Sequence, residues 1–180
     1  MDTLLEEAIE AWEDARNGVI AEVENLPANR FDFRPTPDVR SVTELVIHIL
    51  EVSLMMAGEL TREDTNLRRY PWPKLIAHYS KPIENVSGKR QLLAKLRSTL
   101  REGTKKFRSA GEIHMLQQIV RFDGNKGTRL EWFHHGIAQE MYHRGQLTLY
   151  ARLIGLKPAL TQRIEQSSTC LLYTSPSPRD

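Results

Sequence analysis

Gln139-Glu140-Met141-Tyr142-His143-Arg144-Gly145-Gln146-Leu147 is the stretch on which the reading of this chain turns. At about 100° per residue, a helix through it puts Glu140, His143, Gln146, Leu147 and Tyr150 on one side, with Gln139 just beside them. The side that carries the imidazole is also partly apolar, so it faces inward. A carboxylate three residues before a histidine is the helical spacing that lets both side chains meet one ion. One helix alone cannot complete a coordination shell, and His48 is the candidate partner. Ser41-Val42-Thr43-Glu44 forms a capping box that opens a helix through Leu45, Val46, Ile49, Leu50, Val52 and Leu54. His48 then lies one turn past Glu44 and one turn before Glu51. From the residues alone, a core histidine satisfied by a neighbouring carboxylate stays open as the alternative.

The other helices follow from the same signals. Thr3-Leu4-Leu5-Glu6 is a capping box, followed by Leu5, Ala8, Ile9, Trp12, Ala15, Val19, Ile20 and Val23 at helical spacing until Pro27 stops the run. The link from Pro27 to Arg40 holds Phe31, Phe33, Pro35 and Pro37, a composition suited to packing over a bundle end. The second helix runs from Ser41 to about Leu60. Thr61 to Val86 reads as a long crossover, with a helical turn available at Lys74 to His78. Ser87 caps a third helix through Leu92, Leu93, Leu96, Leu100 and Phe107 to about Gly111. Ile113 to Phe122 and the turn Asp123-Gly124-Asn125-Lys126-Gly127 fit a short hairpin or an irregular arm. Thr128-Arg129-Leu130-Glu131 opens a last long helix from Trp132 through Ile154, ended by Gly155 with Pro158 beyond. The expected fold is all-α, a four-helix bundle with a long crossover between helices two and three.

A chain of 180 residues is one ordinary domain, large enough to bury roughly 70% of its unfolded surface without disulfides. With 25 basic against 23 acidic residues, read as interspersed, it lacks a dedicated electrostatic surface for nucleic acid. Lys105-Lys106-Phe107-Arg108 reads as a solvated helix end. No stretch approaches the roughly 20 apolar residues of a membrane span, and the acidic, amphipathic start is unlike a secretory signal. A cytoplasmic location is the expectation. Cys170 to Asp180 breaks from the preceding texture, and back-translated it reproduces one frame of a transposon adapter used in sequencing libraries. The expected organisation is therefore a single helical domain over 1–169 and a non-native tail over 170–180, against the alternative of a natural Ser/Pro-rich tail. Setting that tail aside removes the one cysteine, and with it a thiol nucleophile, disulfide or Cys ligand.

Phe33-Arg34-Pro35, Arg40-Ser41-Val42 leading into the helix of His48, Leu130-Glu131-Trp132, and His143-Arg144-Gly145-Gln146-Leu147 followed by Tyr150-Ala151-Arg152-Leu153 occur in that order. In this ordered set the chain resembles the DinB-like family of four-helix-bundle metalloproteins, from Thr3 to about Gln166. The resemblance implies a divalent metal, zinc or nickel, held by a histidine of the second helix and two histidines four apart on the last. By position these are His48, Gln139 and His143, so the middle position departs from the family pattern. An amide oxygen is a poorer donor than imidazole for either ion; Glu140 is the anionic alternative. His135 lies eight residues, roughly 12 Å of axial rise, before His143 and does not repair the set. His134 is on the opposite side of the helix, and both are read as capping, surface or partner contacts.

Around the ligands, Gly145 is expected to admit a closely packed element, Gln146 to hydrogen-bond at the metal face, and Arg144 to pair with an acid of helix two or three. Tyr142 and Tyr150 are core or interface aromatics. The resemblance further implies a thiol S-transferase, in which the ion lowers the pKa of a thiol supplied by a low-molecular-weight cofactor and presents it to a small-molecule substrate. Metal-assisted hydrolysis with Glu51 or Glu44 as base uses the same residues. The other class is a non-catalytic bundle with a decayed site, serving as a stress-associated binding or dimerisation module. An apolar helix face beside Trp132 and Phe133 suggests a homodimer; no nucleic acid or membrane partner is expected.

Overall fold

The computed structural model describes residues 3–173. Its long helices are α1 (Leu4–Asn25), α2 (Val42–Leu60), α4 (Gly88–Ala110) and α6 (Arg129–Leu153), joined by α3 (Trp72–Tyr79), α5 (Glu112–Met115) and an antiparallel hairpin of β1 (Gln118–Val120) and β2 (Lys126–Thr128). A final helix, α7 (Ala159–Tyr173), packs on α1. Both α1 and α2 pack against α4 and α6, so α1 and α2 occupy diagonal corners of a four-helix bundle. The groove between α2 and α6 is therefore opposite the one between α1 and α4. No helix among the described residues is long and apolar enough to cross a membrane.

The caps begin the helices where the sequence puts them, with one systematic change. At α2 the box is complete: Glu44 N–H donates to Ser41 Oγ at 3.2 Å and Ser41 N–H to Glu44 Oε2 at 2.7 Å. At α1 and α6 only the hydroxyl half forms, with Thr3 and Thr128 accepting from Glu6 and Glu131. The two carboxylates are taken instead by cations from other elements, Arg108 and Arg121. Ser87 stands at the N-cap of α4, but its hydroxyl makes no cap bond; its N–H donates to Gln91 Oε1 at 2.9 Å.

One element lengthens the helical turn expected at Lys74 to His78, and a second departs from expectation. The crossover carries a two-turn helix, α3, held against α2 where Tyr79 donates to the buried Glu59 at 2.6 Å. The chain also re-enters a helix after Pro158, a residue read as a stop but equally suited to the start of a helix. The buried Glu22 carboxylate accepts from Ala159 N–H at 3.0 Å and Leu160 N–H at 3.4 Å, satisfying the first donors of α7. Helix α7 runs as far as Tyr173, past the boundary drawn at Cys170, and residues 174–180 of the adapter-like segment lie outside the described residues.

Charges are sorted by helix rather than interspersed. Acidic α1 lies beside basic α4, with Arg97 paired to Glu24 and Arg108 to Glu6. Phe107, inside the basic run, is buried.

The core falls into two apolar clusters. One contains Trp12, Phe107 and Phe133, with Trp12 edge-on to both other rings at 5.8 and 5.6 Å. The other contains Val19, Leu26, Val42, Ile49, Leu96, Leu147 and Tyr150. Between Trp12 and Val19 on α1 falls Arg16, fully buried, and between Ile137 and Leu147 on α6 falls Glu140. A polar layer thus crosses the bundle at mid-height.

Candidate metal centre

Glu140 belongs to that polar layer. Arg16 Nε donates to Glu140 Oε2 at 2.8 Å and Arg16 Nη2 to Oε1 at 2.5 Å, while Trp12 Nε1 donates to Oε1 at 2.7 Å. The remaining guanidinium nitrogen donates to Leu96 O and Thr99 Oγ1 of α4. Both carboxylate oxygens are therefore engaged from α1, and the side chain is directed away from α2. Helical spacing put Glu140 on the His143 side; the direction of its head group was decided by Arg16, which the periodicity reading passed over. A signal was present, because Arg16 sits in phase with Trp12, Ala15, Val19 and Val23 on the buried stripe.

Across the α2/α6 groove the structure brings His48 and His143 together. Their ring centroids are 5.0 Å apart and the rings stand at 83°. His143 is buried and His48 half-buried. Gln146, one turn on, lies 2.7 Å from His143 Nδ1 through its Oε1. An amide oxygen only accepts, so this contact suits the tautomer with the proton on Nδ1, in which Nε2 is the nitrogen able to ligate. Gln139 Nε2 is 3.2 Å from His48 Nε2, which places the amide at the third corner. Glu51 approaches His48 Nδ1 at 3.9 Å. Burial, then the Arg40 charge and then His143, push His48 down to about 4. Burial also lowers His143, against the raising influence of the Gln146 hydrogen bond and the Glu140 charge. Both imidazoles are thus neutral at pH 7, the state in which imidazole ligates a metal.

The neighbours sort only in part as expected. A methyl built at Gly18 of α1 would overlap the Arg144 guanidinium, so Arg144 turns to α1 and not to an acid of α2 or α4. Arg144 Nη1 makes a weak bond to Met141 Sδ at 3.9 Å. Close approach occurs at Gly18, whereas nothing lies within 4 Å of a Cβ at Gly145, which faces outward about 200° from His143. Tyr150 is buried and donates to Arg40 O at 2.9 Å; Tyr142 is exposed. His134 and His135 are exposed, and His135 stands against Trp132 with ring centroids 4.7 Å apart. Phe133 is in the core, so it offers no surface to a partner.

A divalent ion needs neutral nitrogen or anionic donors converging on one point. Two imidazoles converge here, and the Gln139 amide meets them through its nitrogen, so its oxygen would have to turn inward to join them. Among the described residues there is no group of three or more His, Cys, Asp or Glu side chains that could hold an ion. The donor set fits a sparsely liganded ion with open positions and falls short of a closed structural site.

A sequence model of the DinB family matches residues 1–169. Among solved structures, the fold is similar to that of a DinB-like protein from Bacillus subtilis, with 19% identity, 83% of this chain and 92% of that one covered, and a TM-score of 0.63. It is similar to a DinB family protein from Exiguobacterium sibiricum with 18% identity, coverage of 86% and 94%, and a TM-score of 0.63. A mycothiol-dependent maleylpyruvate isomerase shares it at 15% identity and a TM-score of 0.60, over 82% of this chain and 63% of that longer one. Identities this low speak for the fold alone. No curated protein matches the chain.

Proposed function

The chain belongs to the DinB family, and from that premise we propose that it is a divalent-metal-dependent enzyme whose most fitting chemistry is thiol S-transfer. The carrying observation is the crossing of His48 and His143 at 5.0 Å, with the Gln146 amide oxygen against Nδ1 of His143. His48 and His143 would hold the ion, zinc or nickel, with Gln139 turning its amide oxygen inward as the third donor. Glu140 is assigned no ligand role, because Arg16 and Trp12 occupy both its oxygens. When bound, such an ion lowers the pKa of a thiol held at an open position. The residues of this chain orient the imidazoles and keep them neutral, and Glu51 stands beside His48 as a proton acceptor for a hydrolytic variant of the same chemistry. The likeness to a thiol-dependent isomerase supports a low-molecular-weight thiol as cofactor.

The rival reading, a metal-poor bundle used for binding or dimerisation, draws on Gln139 standing where the family pattern has histidine. Its interface would be the exposed outer stripe of α6, Met141, Tyr142, Leu149 and Leu153, in a homodimer. Elemental analysis of protein purified without a histidine tag separates the two. Near-stoichiometric zinc or nickel is expected, lost in His143→Ala and in His48→Ala. Metal-free protein that binds neither ion on dialysis, or metal retained by both variants, defeats the enzyme reading.

A further inference from the structure

Beside His48 opens a cavity of about 420 Å³, formed by the link before α2 and the first turns of α2. Most of its charged groups already have a polar neighbour. Arg34 donates to Glu44 at 3.2 Å and to Val39 O at 3.4 Å. Glu44 also closes the α2 cap, and Asp38 accepts from Thr36 Oγ1 at 2.6 Å. Glu51 has His48 as its neighbour. Arg40 is the exception: its backbone carbonyl accepts from Tyr150, and its guanidinium has no ion pair or hydrogen bond among the described residues.

The anchor of that side chain is rigid. Arg40 O is fixed by the buried Tyr150, and the next residue, Ser41, is the N-cap of α2. The head is free, and its field reaches His48, His143, Glu51 and Tyr150. Glu51 faces that guanidinium through its charge but does not bond it, so a ligand carboxylate that reaches Arg40 gains a charge-assisted hydrogen bond that the protein leaves unmade. We infer that Arg40 is the anion-binding arm of the site, taking the carboxylate of a small ligand that lies in this cavity with its other end at His48 and His143. The thiol at that other end rests on the metal reading above; the carboxylate subsite stands on the cavity and on Arg40 themselves.

Two probes of equal length separate the ends: 3-mercaptopropionate and 3-mercapto-1-propanol, titrated into the cobalt-loaded protein and followed by the thiolate-to-cobalt absorption. The carboxylate probe is expected to bind about tenfold to a hundredfold tighter, the range of one charge-assisted bond. Arg40→Gln should erase the difference and Arg40→Lys keep part of it; Arg40 is exposed, so these variants should fold. In metal-free protein, propionate should shift the Arg40 Nε–H resonance saturably, and Arg40→Gln should leave the other site resonances unmoved by propionate. Equal binding of both thiols to wild type, a preference that survives Arg40→Gln, or no saturable propionate response overturns the assignment. Failure to take up cobalt together with a saturable, Arg40-dependent propionate response removes the metal reading and leaves the carboxylate subsite standing.

Discussion

Gln139 and Glu140 are adjacent on α6, yet they face two regions built on opposite terms. Glu140 enters a dry layer in which every partner is supplied by the protein: Arg16 forks onto it, Trp12 adds a third donor, and α4 caps the free end of the guanidinium. Gln139 enters a groove in which two neutral imidazoles meet one amide and a cavity opens alongside. The first region is saturated and organises the bundle; the second is under-coordinated and left able to accept something. One helix serves both because a step of 100° separates the two side chains. The buried pair also fixes the rotation of α6, and with it the direction in which His143 points.

That contrast breaks most easily on the saturated side. Arg16→Ala leaves a buried carboxylate unpaired and is expected to cost about 3–5 kcal/mol, read as a lower urea midpoint at unchanged slope. Replacing both partners, as in Arg16→Met with Glu140→Leu, should recover most of that loss, because the desolvation cost leaves with the charges. On the open side, Gln139→Ala should leave stability nearly unchanged. Equal losses at Arg16 and Gln139 would dissolve the distinction between the two regions.

The next effects concern affinity for a metal rather than folding. Gln139→His adds a third imidazole at the same corner and should tighten zinc or nickel binding on the order of tenfold. Gln146→Ala frees the ring of His143 and should weaken binding by about 10- to 100-fold. Competition titration against a chromophoric chelator measures both. No gain in Gln139→His would mean that the amide is not at the ion's position.

The bundle was legible because its signals are local. The capping pairs at Thr3, Ser41 and Thr128 and the 3.6-residue stripes fix where the helices start and which way they face. The convergence of His48 with His143 was legible through family order, and Gln146 through spacing alone. What escaped was settled by tertiary partners. The direction of Glu140 depends on Arg16, 124 residues away in the chain, and α7 depends on the buried Glu22 of α1. Arg144 settles over Gly18 for want of a side chain there, and no periodicity on α6 records that vacancy. Gly145 was different in kind, because its outward direction follows from a 200° offset to His143 and could have been worked out beforehand.

The smallest effect, and the one that sharpens the comparison most, is the response of the metal-free protein to acid. His48 is held at about 4 in the folded chain against an ordinary value of 6.5, burial being the main cause. The unfolded state therefore takes up a proton first as the pH drops. The contribution of His48 to stability is fully present above about pH 6.5, is lost as the pH falls toward 4, and changes no further below that. His143, lowered by burial as well, adds in the same direction. Solvent still reaches about a fifth of the His48 side chain, 20% exposed, which keeps the loss below that of Arg16→Ala. The urea midpoint of metal-free protein should thus fall between pH 7 and 5, and His48→Gln should flatten that fall. A bound ion opposes the protons for the same nitrogens, so the metal-loaded protein should hold its midpoint to lower pH than the metal-free one. A midpoint independent of pH over that interval would mean that the imidazoles stand in water, and the open region would then lose the property that distinguishes it from ordinary surface.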